Sequence, residues 1–146
     1  MSAVMAAAGV DDSHGAPEGF WQAAAMCATG GEIIAPMLGA DPGDAFSVGL
    51  LHMIGSALMH QASEEGQVQL CLPFGDDSGE LVASEVEAFE IGHDALGAEV
   101  LEAWHFPPHI CQVIGRHHQS AMPDAPALER TLQIARSLTD AALGAD

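Results

Sequence analysis

Positive charge is almost absent from this sequence. Arg116, Arg130 and Arg136 are its only Lys or Arg residues, against 21 Asp and Glu, and the formal net charge is −18 over 146 residues. Protonating all eight histidines would still leave about −10. A chain this acidic repels phosphate backbones, which excludes nucleic-acid binding by counterion release. It is repelled by anionic membrane surfaces for the same reason. Cysteine is scarce as well: Cys27, Cys71 and Cys111 are odd in number, widely spaced and without a CxxC pair. Neither a structural zinc site nor a disulfide frame follows from such spacing. The expectation is small buried thiols in a reducing cytosol. No GxGxxG, P-loop or GxSxG motif occurs, so phosphate-cradling loops and Ser/His/Asp hydrolysis have no support. Internal repeats are lacking too. The opening MSAVMAAAGVDDSHG has no basic n-region and carries Asp11 and Asp12, so residues 1–16 read as a disordered lead-in rather than a signal peptide.

What the chain has is apolar content, 49% against 16% charged. That composition is globular, and the length is enough for one domain with a core. The organising stretch is Ala45–Met59, AFSVGLLHMIGSALM, apolar nearly all the way round. A helix of that kind is the centre of a bundle or a membrane span. The uncharged run from Ala45 to Ser63 holds Gly49, Gly55, His52, His60, Gln61 and three serines, which make it too polar and too short for lipid. It is expected to be one central helix over about Asp44–Gln61.

Around it, Pro17-Glu18 can open a helix through Phe20, Trp21, Ala24, Ala25 and Ala28. Gly30-Gly31 is a candidate break, and Gly39 with Asp41-Pro42-Gly43-Asp44 ends the segment. Residues 62–83 read as a connector, with Val68–Leu72 as extended chain or strand and Gly75–Gly79 as a turn. Ser84-Glu85-Val86-Glu87 fits a capping box and predicts a helix start. Gly92 interrupts that helix, which then continues to about Trp104. Phe106-Pro107-Pro108 is a corner. Further helices are expected at about Pro108–His118 and Ala127–Leu143, the last with Leu128, Leu132, Ala135 and Leu138 on one stripe. The expected interior includes Trp21, Phe46, Leu50, Leu51, Ile54, Gly55, Gly97, Leu101, Trp104, Ile110 and Ile114.

Four histidines, His52, His93, His117 and His118, fall inside apolar helical patterns. His14, His60, His105 and His109 lie at ends or corners. One histidine on an apolar face is usually a hydrogen-bonded core residue; four are a candidate metal set, because neutral imidazole is a common transition-metal ligand and bundle cores build such sites. A hydrolytic two-metal site also needs a carboxylate. The nearest ones in sequence are Asp94 and Glu90.

AFSVGLLHMIG at 45–55 resembles the segment of HD-superfamily domains that usually reads aF.aGLLHDIG. The run over 85–118, with Glu85, Phe89, His93, Gly97, Ala98, Leu101, Trp104, Pro107, Ile110, Ile114, His117 and His118, resembles the HDOD domain, the HD-related output domain. Phe20-Trp21 before the alanines resembles the preceding helix. The resemblance implies an all-α, HD-superfamily-like bundle of about five or six helices over 17–143. It further implies a bacterial, cytoplasmic signalling module without catalytic residues or cofactor, acting on a protein partner or a second copy. The departures carry the non-catalytic expectation. The His-Asp pair that names the superfamily is His52-Met53, and a thioether cannot replace a carboxylate at a hard-metal site. The helix before it offers Ala23 and Ala24 where a histidine ligand would stand. Glu90 stands where the family often has glycine. The helical lobe that usually precedes the Trp-bearing helix has no counterpart, which implies a fragment or a surface completed by another subunit. His52, His93, His117 and His118 then stand as remnants that hydrogen-bond across the bundle or hold a divalent metal. A metal-dependent phosphohydrolase acting on a nucleotide or cyclic dinucleotide is the rival reading, and a His-lined small-ligand sensor a third.

Overall fold

The computed structural model describes residues 16, 19–63, 79–119 and 122–144, with the backbone alone at 79 and 80. It is all-α, as expected, and no strand occurs among the described residues. The helices are α1 (Phe20–Leu38), α2 (Pro42–Leu51), α3 (Ile54–Ala62), α4 (Gly79–Phe89), α5 (His93–Ala103), α6 (Pro108–Gly115) and α7 (Ala127–Leu143). The proposed openings at Pro17-Glu18, the Val68–Leu72 segment, most of the Gly75–Gly79 turn, Cys71 and the lead-in before Ala16 lie outside the described residues.

Helix α1 runs through Gly30-Gly31 without a break. Gly31 faces Ala45 of α2 and Ala135 of α7 and lets both neighbours come close. Tertiary packing thus outweighs the poor helix propensity of the pair. The helix ends where expected, with Gly39 at φ 78 and its N–H donating to the carbonyls of Ala35 and Pro36. Asp41 caps α2, its Oδ1 accepting from the Asp44 N–H at 2.9 Å, and Pro42 opens the first turn.

The expected central helix is two helices. It breaks at His52-Met53, where Met53 adopts φ −100 and ψ 11. The halves have different partners: α2 packs along α1, while α3 packs against α5. Gly49 allows the first contact, because a Cβ there would lie 2.6 Å from the Ala28 Cα. Gly55 allows the second, because a Cβ there would run into the carbonyl of His93. One straight helix could not make both approaches.

Helix α4 begins before the proposed capping box, so Ser84 is an exposed mid-helix residue and not a cap. Its end is unusual: Glu90 has φ 63, the left-handed conformation that glycine adopts without cost. Helix α6 stops at Gly115, three residues short of the expected end, and leaves His117 and His118 in a turn.

The main core joins Cys27, Val48, Ile54, Leu101, Ile110, Ile114, Leu132 and Ala135. A second cluster holds Phe20, Met53 and Ala57, with Trp21 against it. Gly55 and Gly97 are buried, and Trp21, Leu50 and Leu51 are half-buried. Two expected interior residues are on the surface. Phe46 is 38% exposed, on the face of α2 turned from α1, and Trp104 is 43% exposed because α5 has already ended there. The stripe of α7 also stops short, since Leu138 is exposed while Leu132 and Ala135 are buried.

Candidate metal centre

Three of the four histidines converge. His93 is the first residue of α5, fully buried, and its position depends on a carboxylate eight residues earlier. Glu85 Oε2 accepts both the His93 main-chain N–H at 2.9 Å and its ring Nδ1–H at 2.7 Å. With the ring neutral, that pairing leaves His93 Nε2 as a bare lone pair. His117 is buried after α6, and its Nδ1–H donates to the Ile114 carbonyl at 2.6 Å, so its Nε2 is bare as well. Next to it, His118 is half-buried. Adjacent residues on a helix point about 100° apart; the turn after Gly115 turns both rings to His93. His118 Nε2 is 2.6 Å from His93 Nε2, and His117 Nε2 is 3.2 Å from it.

This hydrogen count has a chemical consequence. One hydrogen, on His118 Nε2, can serve the close His118–His93 pair. None is left for the His93–His117 pair, where two lone pairs face each other. A cation between them satisfies all three nitrogens, and the three ligand atoms lie within 4.8 Å of one another. Nitrogens sharing one ion at ~2.0–2.1 Å stand ~3.3 Å apart in a tetrahedral arrangement; the His93–His117 spacing is close to that, and the His118–His93 spacing is shorter. The His93, His117 and His118 triad could therefore hold a metal ion. Three imidazoles without a carboxylate ligand suit borderline ions of the Zn²⁺ kind better than Mg²⁺ or Mn²⁺.

His52 stands beside the triad but outside it. Its ring meets His117 edge-on at 5.3 Å, and its Nδ1–H donates to the Gly49 carbonyl at 2.9 Å. Burial pushes its pKa down to about 3, with the Arg136 charge adding to the effect. His117 is held well below the usual histidine range, again by burial first and then by the neighbouring rings and Arg136. Arg136 of α7 also donates to the His117 carbonyl at 2.5 Å and so ties the turn to α7.

No sequence-proposed carboxylate reaches the centre. Asp94 Oδ1 accepts from the Ala95 N–H, and Glu90 is exposed. Met53 packs in the cluster with Phe20 and Ala57. Ala23 and Ala24 of α1 are buried in packing and offer no ligand. The residue that sequence reasoning missed in this role is Glu85, taken as part of a capping box and as a family-matched position but given no part in the centre. A signal was present: Val82, Glu85 and Phe89 share one helical face, so the carboxylate lies on the inward stripe.

The HDOD domain family model matches residues 1–120. The chain belongs to the HDOD family. This HDOD chain is also similar to a solved structure, the MmoQ response regulator from Methylococcus capsulatus strain Bath, at 27% identity and a TM-score of 0.70. That match covers 87% of this chain and 50% of the other, so the HDOD chain spans about half the length of the response regulator. No curated protein matches it. No helix among the described residues is long and apolar enough to cross a membrane.

Proposed function

We propose that this HDOD chain is a bacterial, cytoplasmic signalling module that acts through contacts with another protein or a second copy of itself, without turning over a phosphate ester. The observation that carries this reading is the fate of Met53. The position after His52, where a superfamily enzyme has its acid, holds a thioether packed against Phe20 and Ala57. A hard-metal hydrolytic centre needs a carboxylate there to bridge its ions and balance their charge. The likeness to a response regulator supports the signalling class.

The test pairs two measurements. Bis-p-nitrophenyl phosphate with added Mn²⁺ should show no turnover above buffer, and light scattering at high micromolar concentration should show self-association or, with a purified partner, a mixed complex. Turnover that vanishes in His93→Ala would overturn the proposal in favour of a phosphohydrolase.

A second reading concerns the ion and is compatible with the first. The unserved lone pairs of His93 and His117 favour one divalent ion per chain as a structural or regulatory ligand. EDTA-stripped protein should take up one equivalent of Zn²⁺ by calorimetry, and His118→Ala should abolish uptake. The surface variant His109→Ala should leave it unchanged.

A further inference from the structure

Helix α4 is attached to this bundle by unusual means. Of its residues 81–89, the single fully buried side chain is Glu85. No described residue of α4 belongs to either apolar cluster. Leu81, Val82 and Phe89 are only half-buried, and Val86 is exposed. The rest of α4 runs along an edge with little close backbone approach to any other helix. The strongest link between α4 and the body is therefore the Glu85 carboxylate on the N-terminus of α5.

That link is incomplete by itself. Glu85 Oε2 accepts two N–H groups, while Oε1 is buried without a hydrogen-bond partner among the described residues. A buried carboxylate with one oxygen unserved is poorly compensated. An ion on the far nitrogen of the same ring changes this. It polarises the imidazole, strengthens Nδ1–H as a donor and places positive charge near the carboxylate.

We infer that a Zn²⁺-class ion bound by His93, His117 and His118 locks helix α4 onto the bundle through Glu85, so that metal occupancy controls whether the α4 edge is docked. The inference rests on the metal reading above and adds the element that responds. Coupling of this kind is reciprocal: whatever loosens α4 weakens the ion by the same factor. Glu85 is a positioning residue, acting on the ion through His93.

The experiment uses the full chain, stripped with EDTA and then loaded with Zn²⁺, followed by amide hydrogen exchange read by mass spectrometry. Loading should slow exchange across 81–89 about tenfold or more and leave α1 and the buried part of α7 nearly unchanged. Glu85→Gln should bind Zn²⁺ about 10–100-fold more weakly and show no loading-dependent protection of 81–89. The wild-type comparison stands even where the variant fails to fold. Zn²⁺ that binds at one equivalent without altering exchange at 81–89 would overturn the inference and leave the metal reading intact. Absence of any uptake by the wild-type chain would remove the metal reading, and this inference with it.

Discussion

The α1–α2–α7 side and the α4–α5 edge of this domain are held together by opposite means. On the first side, small residues let helix backbones touch: Gly49 lies on Ala28, and Gly31 between Ala45 and Ala135. Leu132 and Ala135 then complete a dry core with Val48 and Ile114. At the edge, the buried groups are a carboxylate and imidazoles, and the contacts are hydrogen bonds. Apolar contacts lose little when pH or metal changes, because neither alters their hydration. Polar buried contacts depend on every partner being present and correctly protonated. One fold thus contains a side built to persist and an edge built to respond.

Four substitutions, one of them read through a titration, would break or sharpen that contrast. The largest effect should come from the dry side. Leu132→Ala should destabilise by about 2–5 kcal/mol in urea unfolding, while Zn²⁺ affinity of the folded fraction stays near wild type. A matching loss of affinity would show that the two regions are not separable.

Acidification should act through His52, at the end of α2 where the apolar side meets the imidazoles. His52 has its folded pKa pushed down to about 3, below the ordinary unfolded value near 6.5. The unfolded chain therefore takes up a proton that the folded chain refuses, so stability is full above about pH 6.5 and falls as pH drops toward 3. Thermal melts of stripped protein should show Tm falling over that window. The fall should be smaller in His52→Gln, whose amide can also donate to the Gly49 carbonyl. An unchanged profile in that variant would remove His52 as a source of acid sensitivity.

Met53→Leu, a volume-conserving change within an apolar cluster, should cost less than about 1.5 kcal/mol and leave Zn²⁺ uptake intact. A loss of uptake would mean that the thioether contributes to the ion after all. The smallest effect should be a gain: Glu90→Gly relieves a left-handed backbone at the end of α4 and should stabilise by about 1 kcal/mol. That gain should appear in exchange at 81–89 before it appears in global unfolding, since α4 is the least embedded helix.

The helical class, the Gly39 stop, the Asp41 cap and the corner at Pro107 were legible because each depends on local chemistry. Misreadings came where a neighbour outweighed local preference. Gly31 stays helical because two helices press on it, and the central helix breaks because its halves serve different partners. Ser84 loses the role of a cap because α4 already begins at Gly79. Phe46 and Trp104 are aromatic and family-matched, yet their helices turn them outward. Among the histidines, residue type and apolar context marked His52, His93, His117 and His118 equally, and the structure separated them into a triad and a neighbour.

Sequence alone determined the all-α class, the strong acidity, the family, and the methionine that follows His52. These are properties of composition, spacing and residue identity, and no fold can change them. Tertiary structure decided that Met53 faces an apolar cluster, that Glu85 orients His93, and that three bare or bridging nitrogens meet in one place. Those outcomes depend on where α6 stops and how closely α3 approaches α5, distances set by packing between segments far apart in the chain.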